Sequence, residues 1–384
     1  MGDYITVNKI KNKENNHFIP YSISNKWGFI PQEKQFGEGN TYSKTNKATN
    51  YIVEPNTFAY NPARINVGSI AYQNNQFPVI VSSLYEIFKA KKNLNDEFLM
   101  NWFKTEKFTR QIQKLQEGGV RQYFFIDKMQ ESRITIPFIS EQEEISKTLN
   151  QISNLIKLQQ RKTEQLKLLK KAMLQKCFTK KSAPTLRFKG FSKAWTEYPL
   201  GNLGKARSGY GFPNSEQGGN KGIPFYKVSD MNLSGNEDEM IYANNYVTDA
   251  QIDRNNWKPI VDVPAIFFAK VGAAVLLNRK RLCKRPFLLD NNTMAYSLNK
   301  NILSTQFTKS LFETINLPSF IQVGALPSYN TNDIESIKVK IPKIDEQEKI
   351  GILLKKIERL ITRQQSKIKK LQSTKQFLLQ NMFI

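Results

Sequence analysis

Histidine, cysteine and long apolar runs are scarce in this 384-residue chain, and each scarcity removes a class of function. The one histidine, His17, lies in a polar stretch with no serine or cysteine constellation around it, so no histidine-based catalytic centre is indicated. Two cysteines, Cys177 and Cys283, provide neither a disulfide framework nor a metal-ligand spacing, and read as reduced packing residues of a cytoplasmic protein. The most apolar window, 261–277, is broken by Asp262, Pro264, Lys270 and Gly272 and is too short to cross a bilayer. The opening Met1-Gly2-Asp3-Tyr4 lacks the basic-then-apolar pattern of a signal peptide. No G-x-x-x-x-G-K-[ST] loop is present, which excludes a P-loop ATP motor. Gly201, Gly204, Gly209 and Gly211 lack the strand–helix context of a dinucleotide site. Asn61-Pro62-Ala63-Arg64 lacks the second proline and the aromatic of the amino-methyltransferase motif.

Acidic residues are also outnumbered. Lys and Arg total 57 against 33 Asp and Glu, a formal net charge of +24. A surplus of that size is a field over the whole surface and favours a polyanionic partner over a membrane. With 40% apolar and 11% aromatic residues, the chain still builds real cores and is not a basic disordered tail.

An internal repeat organises what remains. Ile136-Pro137-Phe138-Ile139-Ser140-Glu141-Gln142-Glu143-Glu144-Ile145 returns as Ile341-Pro342-Lys343-Ile344-Asp345-Glu346-Gln347-Glu348-Lys349-Ile350. The same offset aligns Leu149 with Leu354, Gln159 with Gln364, Lys170 with Lys375 and Phe178 with Phe383, and it reaches back to Gly119 and Gly324. Apolar residues at steps of three and four predict a long amphipathic helix over 141–180 and another over 341–384, each ~55 Å long. Ser140 with Glu143, and Asp345 with Glu348, are the expected capping boxes. The first stripe includes Leu155 and Leu169 and the second Leu360. Neither helix can bury its stripe alone, so the two are expected to pair as a coiled coil. The pairing residues would be Ile145, Leu149, Ile152, Ile156, Gln159 and Leu166 on one helix. On the other they would be Ile350, Leu354, Ile357, Ile361, Gln364 and Leu371, the two glutamines fixing register.

Short β-branched and aromatic segments precede each helix, among them 51–53, 56–60, 77–82, 266–268 and 273–277, with helical stretches at 94–115 and 304–320. The expected fold class is α+β, with two globular domains, 1–140 and 181–340, separated by the two long helices in a pseudo-twofold repeat. The second half carries a leader, Leu186-Arg187-Phe188-Lys189-Gly190-Phe191-Ser192-Lys193-Ala194-Trp195, before Leu200-Gly201-Asn202. The first half opens at the point matching Leu200, without that leader.

The loops that differ between the halves are where a DNA reader is sought. Arg and Asn bond guanine and adenine edges in the major groove, and lysine binds phosphate. In the first half the candidate contacts are Asn61, Arg64, Asn66 and Ser69, together with Arg121 and Gln122 after Gly119. In the second they are Lys270, Asn278, Arg279, Lys280, Arg281, Lys284 and Arg285, with five positive charges in the seven residues from Arg279. Ser328, Tyr329 and Asn330, after Gly324, complete the set. No catalytic residue and no metal ligand is assigned.

The Ile-Pro-x-Ile-x-Glu-Gln-x-x-Ile opening of a Lys- and Leu-rich helix that ends in Leu-Gln-x-x-Phe resembles type I restriction–modification specificity subunits, as does the Leu-Arg-Phe-x-Gly-Phe-x-x-x-Trp leader. The resemblance spans the whole chain. It implies two target-recognition domains held by an antiparallel pair of helices and a bipartite double-stranded DNA target. It further implies a cytoplasmic complex with two methyltransferase subunits and two ATP-dependent restriction/translocase subunits. S-adenosylmethionine, ATP and Mg would be bound by those partners and none by this chain, with adenine methylated at N6. The alternative is a structural or regulatory basic coiled-coil DNA-binding protein without a restriction partner.

Overall fold

A computed structural model describes residues 1–37, 47–119, 122–179, 184–321 and 327–383. The chain forms two compact units. Unit 1 comprises Met1–Arg161 with Gln365–Ile384, and unit 2 is Lys162–Gln364. The division falls inside the two long helices, Ile139–Cys177 and Ile344–Asn381, rather than at their ends. Each unit therefore owns the opening of one helix and the close of the other. In unit 1, Ile145 and Leu149 share a core with Leu379 and Phe383. In unit 2, Ile350 and Leu354 share a core with Cys177, Met173 and Leu174. Openings pack with closes in both units, so the helices run antiparallel.

Each unit is built on a four-stranded antiparallel sheet of one topology. In unit 1 the order is Ile5–Val7, Glu86–Ala90, Thr57–Tyr60, Ile70–Gln73. In unit 2 it is Gly204–Ser208, Thr293–Leu298, Ala265–Ala269, Lys280–Cys283. Alternation along a strand sends successive side chains to opposite faces. Phe58 and Tyr60 face the helical side with Phe98, Leu99 and Trp102, while Ala59 faces a second β layer with Val53, Val79 and Val81. Ile266 and Phe268 pack with Phe307 and Phe312, while Ala265 and Phe267 pack with Tyr226 and Phe287. Both faces are buried, which is why these strands read as short and almost wholly apolar.

The repeated motif of the long helices works differently from the sequence reading. The helices begin at Ile139 and Ile344, so Ser140 and Asp345 lie inside the first turn and do not cap it. The anchor is the glutamine. Gln142 Oε1 accepts from Asn95 N (2.8 Å), and its Nε2 donates to Asn93 O (3.1 Å) and Pro137 O (2.9 Å). Gln347 repeats this with Ser304 N (3.0 Å), Ile302 O (2.9 Å) and Pro342 O (2.9 Å). Asn95 and Ser304 are the N-caps of the short helices Asp96–Trp102 and Thr305–Thr314. Each glutamine thus ties a long helix to the start of a short one. In unit 2 the two helices come so close that a Cβ on Gly351 would lie 2.8 Å from Phe307 N. That approach explains a glycine in mid-helix.

Two further expectations are corrected. Leu155, Leu169 and Leu360 are exposed, and Thr163 is buried in the first helix instead, so the stripes are narrower than the periodicity implied. Residues Ala273–Leu277 form a 3-10 turn, not a strand. They sit at the tip of the hairpin joining Ala265–Ala269 to Lys280–Cys283, between Gly272 (φ 78°) and left-handed Asn278 (φ 50°). Positive φ at both ends prevents an extended run.

Candidate nucleic-acid interface

In each sheet a hairpin joins an inner strand to the edge strand beside it, Thr57–Tyr60 to Ile70–Gln73 and Ala265–Ala269 to Lys280–Cys283, and the two hairpins end in equivalent tips. In unit 1 the tip carries the 3-10 turn Ile65–Val67 followed by Gly68 (φ 84°). In unit 2 it carries Ala273–Leu277 followed by Asn278. Both tips present apolar side chains to solvent, Val67 in one and Leu276 and Leu277 in the other. These are the loops that sequence reasoning selected, and they differ in length and chemistry while the strands beneath them agree.

The structure sorts the candidate residues. Arg64 and Asn66 are exposed on the unit 1 tip. Asn61 accepts from Ala63 N (3.0 Å) and shapes the turn. Ser69 is buried and donates to Ile23 O (3.0 Å), so it belongs to the fold and not to a reading surface. Gln122 is exposed and accepts from Gln116. Arg121 and Gly324 lie outside the described residues.

The basic run of unit 2 is not the free patch its composition suggests. Asn278 Oδ1 accepts from Leu317 N (3.1 Å) and Lys280 Nζ (2.6 Å). Lys280 Nζ also donates to Ile315 O (2.6 Å), and burial, opposed in part by Glu313, pushes its pKa down to about 8. Arg279 Nη1 donates to Asn232 Oδ1 (2.6 Å). Arg281 Nε donates to Asn236 O (2.7 Å), and Lys284 pairs with Glu239. Lys280 and Arg281 are strand residues, half-buried beside apolar Leu282 and Cys283. Of the five charges, Arg285 alone has no described partner, and Lys270 is half-buried at the start of the tip. Tyr329 is buried and donates to Ala269 O, and Ser328 is half-buried. Asn330 caps Thr331–Glu335, accepting from Asp333 N (3.0 Å). Tyr329 and Asn330 thus serve the fold. The helix-pairing residues are buried or half-buried throughout, each within its own unit.

Sequence reasoning missed a second tip in unit 1. The hairpin Tyr21–Ser24/Gly28–Pro31 turns at Asn25-Lys26-Trp27. Trp27 is 65% exposed, and Lys26 Nζ lies 4.6 Å from its ring centroid. The Ser69 bond to Ile23 and the closeness of Gly68 to Asn25 hold this tip beside the Arg64–Asn66 loop. An exposed aromatic and a lysine in one turn were the available signal.

Among the described residues no group of three or more His, Cys, Asp or Glu could hold a metal, and no helix is long and apolar enough to cross a membrane. The duplicated scaffold with divergent tips has a counterpart among known proteins. The sequence profile of the type I restriction modification DNA specificity domain matches residues 1–168 and again 192–373. The chain belongs to this family. It is 24% identical over 314 residues to the type I restriction enzyme MjaVIII specificity subunit of Methanocaldococcus jannaschii, covering 74% of this chain and 68% of that one. Two solved structures share the fold. The S subunit of a type I restriction-modification system from M. genitalium has 15% identity and a TM-score of 0.59, covering 100% of this chain and 94% of that one. The HsdS subunit of Thermoanaerobacter tengcongensis has 14% identity and a TM-score of 0.51, with coverage of 100% and 95%. At these identities the likeness concerns fold alone.

Proposed function

We propose that this chain is the specificity subunit of a type I restriction–modification complex. It reads a bipartite double-stranded DNA target with one unit per half-site, and it positions methyltransferase and restriction subunits without a catalytic centre of its own. The observation that carries the reading is the pairing of a repeated scaffold with unlike tips. The sheet order and the glutamine clamp are duplicated, whereas the Asn61–Ser69 and Lys270–Arg279 tips differ. Two readers of different sequence on one frame need that division of labour. Base contacts specify while phosphate contacts position, and the surplus of +24 serves the second role.

The finer points of the reading follow the resemblance. Two methyltransferase subunits carry S-adenosylmethionine and methylate adenine at N6 in each half-site. Two restriction/translocase subunits use ATP and Mg, and the assembly is cytoplasmic. Single-molecule methylome sequencing of cells carrying this chain with a cognate methyltransferase tests the whole. A two-part adenine-methylated motif that disappears when the chain is deleted is expected. Methylation that is unchanged by the deletion would overturn the reading.

A further inference from the structure

The clamped N-caps give a common origin from which to compare the units. Nine residues beyond Asn95 stands Lys104, and nine beyond Ser304 stands Glu313. Facing them are Lys375 and Lys170, equivalent positions of the two long helices. In unit 2 this place is charge-balanced. Lys170 Nζ lies 2.6 Å from Glu313 and 2.6 Å from Glu358, and Lys309 lies 2.9 Å from Glu358 and pairs with Asp238. In unit 1 the balance is gone. Lysine replaces Glu313, Ser153 stands in the place of Glu358, and Lys157 joins Lys104 and Lys375. Among the described residues none of these three lysines forms an ion pair. Lys104 is exposed on the cleft side, yet desolvation by the surrounding protein, then the charges of Lys375 and Lys157, push its pKa down to about 8. Burial, then Lys157, lowers that of Lys375.

Lys104 and Lys157 line a cleft of about 650 Å³. Asn101 stands in its wall, 1% exposed, with neither its oxygen nor its nitrogen hydrogen-bonded. A buried amide without a partner is rare and calls for one. The cleft also carries two carboxylates, both already engaged: Asp96 accepts from Tyr72 (2.9 Å) and Glu97 from Asn150 (2.7 Å). Lys26, at the exposed hairpin tip, lines the cleft as well. Three like charges held together repel, and an anion relieves them. A single carboxylate is too little charge for three lysines, whereas a phosphate offers several acceptor oxygens and up to two charges.

We propose that Lys104, Lys157 and Asn101, which line the cleft, form a phosphate-binding site in unit 1 to which the neighbouring Lys375 adds its charge. The phosphate is either that of a duplex backbone running past the Lys26 tip or that of a free polyphosphate. Only the first source rests on the DNA-recognition reading.

The test uses the full chain as wild type, as Lys104→Met/Lys375→Met, and as Lys104→Glu, which restores the unit 2 charge pattern. Duplex binding is followed by fluorescence anisotropy across KCl concentrations, and tripolyphosphate binding by calorimetry. Both variants are expected to fold, with melting temperatures at or above wild type, because each removes repulsion. If the backbone is the source, the log–log salt slope falls by roughly one to two, at about 0.9 per lost phosphate contact. If the source is a free polyphosphate, the slope stays constant and tripolyphosphate binding is lost in both variants. Wild-type binding of tripolyphosphate without any duplex binding would uphold the site and sink the DNA reading. Duplex and tripolyphosphate binding unchanged in both variants would overturn the site and leave the DNA reading standing.

Discussion

Glu141 and Glu346 occupy the same place in the repeat, one residue before the clamping glutamine, yet they live in different surroundings. Glu346 is 2% exposed and accepts two bonds from Arg187 of the leader, at 2.8 and 2.7 Å. Phe191 of the same leader lies under Lys349, and Thr196–Pro199 pairs antiparallel with Lys338–Ile341. In unit 1 no described residue covers the corresponding face. Glu141 is exposed, Phe138 is 86% exposed, and 133–136 forms no strand. The Met1 ammonium donates to Ser132 O (2.6 Å), just as Leu200 N donates to Ile337 O (2.9 Å). The comparison teaches that the glutamine clamp and the sheet define the repeat, while the charges around them are free to diverge.

The largest test of that contrast lies at the glutamates. Glu346→Gln takes the carboxylate away from half-buried Arg187 and should destabilise the protein by about 3 kcal/mol. Glu141→Gln should stay within about 0.5 kcal/mol. Chemical denaturation of the two variants checks this, and equal losses would break the distinction.

The clamps should behave alike. Each glutamine makes three buried or part-buried bonds. Gln142→Ala and Gln347→Ala should therefore each cost about 2–4 kcal/mol, because the partners are left unsatisfied. Hydrogen exchange should place the first loss in unit 1 and the second in unit 2. A loss in one variant alone would show that the anchor is not duplicated.

The lysines should differ in sign. Burial works against the charge of Lys170, but Glu313 and Glu358 outweigh it and raise its pKa. Lys170→Met leaves Glu313 with only the long contact to Lys309 (3.9 Å), while Glu358 keeps Lys309 at 2.9 Å, and should cost about 2 kcal/mol. Lys375→Met relieves repulsion and should leave the melting temperature unchanged or raise it by roughly 2 °C. The pH profile sharpens this further. Lys104 has a depressed pKa, so its penalty is present at low pH and is relieved as pH rises from about 8 towards its ordinary value of 10.5. Lys104→Met should flatten that gain in a melting series while the similar contribution of Lys280 remains.

Much of the architecture was legible because it is written in periodicity. The offset between Ile145 and Ile350 carries both long helices, and the alternation in 56–60 and 266–268 carries the inner strands. Charge was harder to read. Arg279 to Arg281 look like a phosphate patch in sequence, but a partner only folding can bring near, Asn232, Asn236 or Ile315, takes each one. Conversely Lys104, Lys157 and Lys375 are far apart in sequence and gather only when the two long helices run antiparallel. The 273–277 run was misread because apolar composition alone does not reveal that Gly272 and Asn278 turn the backbone left-handed at both ends.

The central claim is that the two units are separate readers on one frame. Replacing residues 185–340 with the matching region of another family member, followed by methylome sequencing, tests it directly. The account predicts that one half of the methylated motif changes and the other half keeps its bases. A change in both halves, or in neither, would contradict it.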